Sequence, residues 1–117
     1  MSNITRVNVE KRLSDMAVYN GVAYLAGQIP TTPELDIVGQ TREVLATIDT
    51  LLKQAGTDKS RILMAQIFIS DLKDFPGMNQ AWDEWVAAGH APPRATVEAK
   101  LANPAWKVEI VVTAAVA

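Results

Sequence analysis

The sequence predicts an α+β sandwich, a single mixed β-sheet with two helices packed on one face. Three observations lead there. Asn20-Gly21 separates two short apolar runs, and this pair is a strong hairpin signal because a two-residue type I′ turn needs positive φ at both positions. Two stretches, Val44 to Ala55 and Phe75 to Val86, repeat apolar residues at helical spacing. Strands and helices do not alternate strictly along the chain, which argues against a doubly wound parallel sheet. A sheet covered on one face leaves apolar side chains on the other, so oligomerisation is expected.

Taken in order, Ile4, Arg6 and Asn8 alternate with Thr5, Val7 and Val9 as an edge-like first strand whose apolar face is Val7 and Val9. Glu10 to Asp15 is polar apart from Leu13 and leads as a loop into the strand Met16 to Tyr19. Val22 to Ala26 is the return strand after the turn. It stops at Gly27-Gln28-Ile29-Pro30, where a glycine either lets the backbone approach a ligand or simply ends the strand. Asp36 is a candidate N-cap for the first helix and Gly56 suits its C-cap. Ile62 to Ser70 then reads as a buried strand with Ala65, Ile67 and Ile69 on one face. Asp71 or Asp74 can cap the second helix, in which Trp82 and Trp85 are core anchors. Asn79 lies near its first turn, where the amide can reach an adjacent loop or bond at the surface.

The last third concentrates the candidate chemistry. Pro92-Pro93 hold the preceding segment extended, so Arg94 starts a strand with few backbone alternatives. Thr96, Glu98 and Lys100 share its face, while Ala95, Val97, Ala99 and Leu101 point the other way. Asn103-Pro104 breaks the run, and Val108, Ile110, Val112 and Ala114 resume an apolar face opposite Lys107, Glu109, Val111 and Thr113. The pattern suggests a C-terminal β-hairpin. Pairing about Asn103-Pro104 would set Arg94 opposite Thr113 and leave Glu109 on the order of 13 Å away at ~3.3 Å per residue. Arg94 offers a planar, permanently charged fork for a carboxylate, and Glu109 can orient a water. If both serve one site, a cleft between subunits is the simple solution. The same pattern also suits two solvated strand charges.

A chain of 117 residues fits one domain, here residues 1–117. Eleven Lys and Arg against 13 Asp and Glu give a net charge of −2 with no basic run, which leaves a nucleic-acid surface without electrostatic support. There is no cysteine, so thiol catalysis, disulfides and thiolate metal sites are excluded. The single histidine, His90, sits in a loop-like Gly- and Pro-flanked stretch and reads as a solvated side chain without a role; a metal site would need carboxylates with at most one imidazole. No segment is long enough to span a bilayer, and the N-terminus lacks a charged segment followed by an apolar block, so a cytoplasmic location is expected.

Over nearly its whole length the chain resembles the Rid family, also called YjgF or RidA, and most closely its short YoaB-type members. The resemblance is carried by Tyr24-Leu25-Ala26-Gly27-Gln28-Ile29-Pro30, by Ile67 to Phe75 with Asn79, and by Pro92-Pro93-Arg94-Ala95-Thr96-Val97-Glu98 with Val108-Glu109-Ile110. It implies a chorismate-mutase-like fold and a homotrimer with three intersubunit clefts. It implies hydrolysis of small imino or enamino acids to 2-keto acids and ammonia, with no metal or organic cofactor. By the same resemblance Arg94 anchors the carboxylate, Glu109 orients water, and Gly27, Asn79 and Thr96 complete the substrate site. The chain departs from the RidA pattern at Leu13, where those proteins have a tyrosine, at Ala26 in place of a serine, and at Thr96 in place of a cysteine that contributes mainly backbone. A trimer that binds 2-keto or related carboxylates without turnover is the alternative reading.

Overall fold

The computed structural model describes residues 3–116. Six strands form one sheet: β1 (Thr5–Val9), β2 (Ser14–Tyr19), β3 (Val22–Leu25), β4 (Ile62–Ile69), β5 (Arg94–Glu98) and β6 (Val108–Ala115). Their spatial order is β1-β2-β3-β6-β4-β5. Two helices, α1 (Ile37–Gln54) and α2 (Phe75–Trp85), pack on one face. All pairings are antiparallel except β4 with β5. The chain moves in one direction across the sheet from β3 through α1 to β4 and through α2 to β5. The right-handed rule for parallel crossovers therefore puts both helices on the same side.

Local sequence explains the punctuation. Asn20 and Gly21 adopt φ of 51° and 76°, the positive pair a type I′ turn needs, and Tyr19 pairs with Val22 across them. The Asp36 carboxylate accepts from the Gly39 amide at 2.9 Å and caps α1. At its other end Gly56, with φ 79°, donates to Lys53 O and Thr57 donates to Leu52 O. This is a Schellman ending, with Ala55 as the cap and Gly56 one residue beyond it. Asp71 and Asp74 divide their work: Asp71 caps a short 3-10 turn, Leu72–Asp74, while Asp74 precedes α2 without a side-chain cap.

The core lies between helices and sheet. Leu45, Ile48 and Leu52 of α1 meet Ile67 and Ile69 of β4 and Val108, Ile110 and Val112 of β6, all fully buried. Each such side chain contributes about 1.5–3 kcal/mol by leaving water. Trp82 joins this core, whereas Trp85 is half-buried and donates its indole N–H to Asp49 at 2.9 Å. Val7 packs against the core, but Val9 is 67% exposed.

The expected C-terminal hairpin does not form. β5 is an edge strand paired parallel to β4, and β6 returns to lie between β3 and β4. The connection from Ala99 to Lys107 is longer than the two to five residues of a typical hairpin loop. β6 is buried at every second position and half-buried at the rest, as suits a central strand, while the Pro92-Pro93 pair and charges of β5 suit an edge. The correction changes more than the topology. Arg94 aligns with Ala65, which aligns with Val112 and not Thr113, and one residue of register exchanges the faces of a strand.

The sheet face away from the helices carries Tyr19, Tyr24, Met64, Phe68, Val97 and Val111. Tyr24 is 51% exposed, Val97 46% and Met64 43%. No helix is long and apolar enough to cross a membrane among the described residues.

Candidate functional site

Arg94 opens β5 on the side facing the helices, in register with Ala65, and Thr96 follows it on that face in register with Ile67. A charged side chain can sit beside the core here because β5 is the sheet edge and α2 provides aromatic faces. The guanidinium carbon lies 5.3 Å from the Trp82 ring centre and 5.9 Å from that of Phe75, a cation–π arrangement that orients the fork without using its donors. Leu72, Phe75, Arg94 and Thr96 line an open depression of ≈ 450 Å³. Its wall is fixed to β5 itself, since the Leu72 amide donates to the Glu98 carboxylate at 2.9 Å. The Thr96 hydroxyl oxygen is buried and has no hydrogen-bond partner among the described residues. A buried hydroxyl left so is costly, and a carboxylate held by Arg94 would satisfy it. Asn79 shares the face of α2 that bears Phe75 and Trp82 by helical spacing.

Glu109 lies on the other face. It aligns with Phe68 and, through Phe68, with Val97, so its carboxylate shares the uncovered side with the apolar residues named above. It borders a second depression of ≈ 290 Å³ with Phe68, Ala99, Lys100, Leu101 and Ala102. Gly27 is directly beneath it: a Cβ on Gly27 would stand 3.0 Å from Glu109 Cδ and collide with Oε2. Glycine lets the Glu109 side chain pack against this turn; a side chain here would displace the carboxylate. The adjacent residues clasp, with Gln28 N donating to Ile110 O at 2.8 Å and Ile110 N to Gln28 O at 3.1 Å.

The predicted site residues therefore fall into two groups. Arg94 and Thr96 lie together on the helix side of the sheet edge, with Asn79 on the α2 face that bears Phe75 and Trp82, and Gly27 meets Glu109 on the uncovered side. The groups do not meet within one chain. Of the departures from the RidA pattern, Leu13 sits 52% exposed in the β1–β2 connection, and Ala26, in the Gly27 turn, donates its amide to Asp15 O at 2.9 Å. His90 is exposed in its loop. Sequence reasoning missed Leu72 and Phe75 as walls of the Arg94 depression; two large apolar residues set among Asp71, Lys73 and Asp74, at the start and just past the end of a 3-10 turn with nothing buried, were the available signal.

A six-stranded mixed sheet in this order with two helices on one face is the chorismate-mutase-like sandwich. The sequence profile of the family described as Endoribonuclease L-PSP matches residues 3–116, and the chain belongs to that family, the Rid or YjgF family of the resemblance. It is 57% identical to a RutC family protein of Haemophilus ducreyi over 113 residues, 97% of each chain. It is 49% identical to the RutC family protein YoaB of Escherichia coli, covering 97% of this chain and 98% of the relative. The crystal structure of a YjgF-family member from Neisseria meningitidis superposes with a TM-score of 0.94 at 43% identity, covering 97% of this chain and 94% of that one.

Proposed function

We propose that the protein is a reactive-intermediate deaminase that hydrolyses small 2-imino and enamino acids to 2-keto acids and ammonia, working as a homotrimer with its sites in clefts between subunits. Arg94 of one subunit holds the substrate carboxylate by a bidentate, charge-assisted pair, with the Thr96 hydroxyl donating a further bond. Glu109 of the neighbour orients a water and accepts its proton as the oxygen bonds to the imine carbon. Glu109 returns that proton to the nitrogen of the resulting carbinolamine and takes up the hydroxyl proton as the C–N bond breaks, so that ammonia leaves and the carbonyl forms. An enamino acid reaches the same electrophile by tautomerising to its imine. The imine carbon is already electrophilic, so placement of three groups and a proton transfer suffice; the proton step contributes about 10²–10⁴-fold.

The observation that carries this reading is that Arg94 and Glu109 face opposite sides of the sheet, each beside its own open depression. Assembly through the uncovered apolar face would bury Tyr24, Met64 and Val97 and bring Glu109 of one chain to the β5 edge of another. Ammonia release from imines generated in situ by an amino-acid oxidase tests the activity, and sedimentation tests the trimer. Decay at the buffer rate for every imine, or a monomeric mass, would overturn it.

Leu13 and Ala26 favour a second reading, because they bring no polar group where RidA relatives have a tyrosine and a serine. The protein would then be a trimeric binder of 2-keto or related carboxylates that uses Arg94 without productive water attack. Glu109→Gln separates the two: an enzyme keeps keto-acid affinity and loses hydrolysis by about 10²-fold, whereas a binder shows no such split.

A further inference from the structure

Gln40, on the second turn of α1, is completely buried, an unusual place for a carboxamide. Its Nε2 donates to Pro33 O, Leu35 O and Ala105 O, each at 3.1 Å, and its Oε1 accepts from the Lys107 amide at 2.8 Å. Two N–H bonds serve three carbonyls, so one is shared, and only this orientation of the amide matches donors to acceptors. The side chain thus joins the loop just before its own helix to a segment 65 to 67 residues further along the chain. Pro33 and Leu35 belong to the loop that follows the Gly27 turn. Ala105 and Lys107 end the connection that delivers Glu109, and the start of that connection is fixed separately by Ala99 N donating to Ile69 O at 2.9 Å.

We propose that Gln40 is a positioning residue that sets the gap between Gly27 and Glu109, and with it the place of the attacking water; this rests on the deaminase reading. The two segments that carry Gly27 and Glu109 are clasped in front by the Gln28–Ile110 bridge and behind by Gln40. One clasp alone leaves a hinge. Two fix the separation, and Gly27 is where the Glu109 side chain packs against the opposite segment. The loop side is further braced one turn along α1, where Glu43 accepts from the Thr31 and Thr32 amides at 2.7 and 2.9 Å and from the Thr32 hydroxyl. An apolar side chain of similar length would fill the same space but leave the Lys107 N–H and three carbonyls unpaired. The carboxamide therefore supplies direction as well as packing.

The test compares Gln40→Glu and Gln40→Met with the wild-type assembly by imine-hydrolysis kinetics and amide hydrogen exchange. In Gln40→Glu the acceptor for Lys107 survives, while the donors are lost at neutral pH and partly restored when the carboxyl is protonated. Expected are a fall of about tenfold or more in kcat with KM unchanged, partial recovery of the glutamate variant toward acid pH, and exchange about tenfold faster at the Gln28 and Ile110 amides but not at Ala23 and Ala114. Wild-type kcat in folded variants, parallel loss in kcat and KM, or uniformly faster exchange would overturn the proposal. Wild-type protein supplies a check that no folding failure can spoil: Lys107, Gln28 and Ile110 must open together, and a Lys107 amide exchanging far faster than the other two refutes the clasp. If wild-type protein hydrolyses no imine, the deaminase reading falls, while the exchange pattern still decides whether Gln40 sets the gap.

Discussion

Mixing two inactive variants tests the shared cleft most directly. In a 2-imino acid the carboxylate and the reacting carbon are bonded neighbours, so the group gripping one and the group delivering water to the other must lie within about 7 Å, roughly two hydrogen-bond lengths. Within one chain Arg94 aligns with Val112 and Glu109 lies three residues along β6. At ~3.3 Å per residue and ~4.8 Å per strand step, their backbones are ~14 Å apart, and the side chains leave from opposite faces. Arg94→Ala and Glu109→Gln should each be inactive alone. When equal amounts are unfolded together and reassembled, a cleft is whole only if its arginine comes from the glutamine variant and its glutamate from the alanine variant, about one cleft in four for random trimers. Ammonia release at ~25% of the wild-type rate is the expected result. Native mass spectrometry would verify that mixed trimers formed, and mixed trimers with no activity above the separate variants would refute the trans arrangement.

Gly27→Ala places a methyl group against the Glu109 carboxylate; hydrolysis should fall about 10²-fold while keto-acid affinity, measured by calorimetry, stays, and equal loss of both would show a general disruption. Arg94→Lys keeps the charge but not the fork stacked on Trp82 and Phe75, so keto-acid binding should weaken by roughly 1.5–3 kcal/mol, and unchanged binding would place the anchor elsewhere. The Thr32 hydroxyl, then the Thr32 and Thr31 amides, hold the Glu43 carboxyl down to about 2 from its usual 4.5. Its folded value is depressed, so its stabilisation is full above about pH 4.5 and is lost as pH falls toward 2. The difference in melting temperature between wild type and Glu43→Gln should shrink across that window, and a constant difference would show that the carboxylate does not brace the loop.

Elements with their own chemistry were legible in the sequence. The Asn20-Gly21 turn, the Asp36 cap, Gly56 beyond the end of α1 and the buried row Ala65, Ile67 and Ile69 each follow from a local rule, and each is present. The position of β6 was not legible. Apolar alternation gives a strand its two faces but not its partners, and Asn103-Pro104 punctuates a crossover connection as readily as a hairpin. The burial of both faces of β6 carried the missing information: an edge hairpin strand has no use for Val111 and Ala115 opposite Val112 and Ala114, whereas a strand inserted between β3 and β4 does.

The same reassignment explains why the site resisted reading from one chain. The β5 pattern left Arg94 open between a cleft and solvent; Arg94 and Thr96 continue the row of Ala65 and Ile67 toward the helices and are half-buried, whereas apolar Ala95 and Val97 on the other face are exposed. An edge strand that hides its polar face and shows its apolar face is inverted for a monomer. It is correctly patterned if another subunit covers the apolar face and the polar face lines a cleft supplied with aromatic walls by α2. Glu109 is a half-buried carboxylate on the uncovered side, beside apolar Phe68, Val97 and Val111 and bordering a depression with Lys100, and a covering subunit would desolvate it unless it brought a polar partner. In the proposed trimer one neighbour would answer both, because its edge would present to Glu109 an arginine stacked on Trp82 and a threonine hydroxyl that has no partner among the described residues.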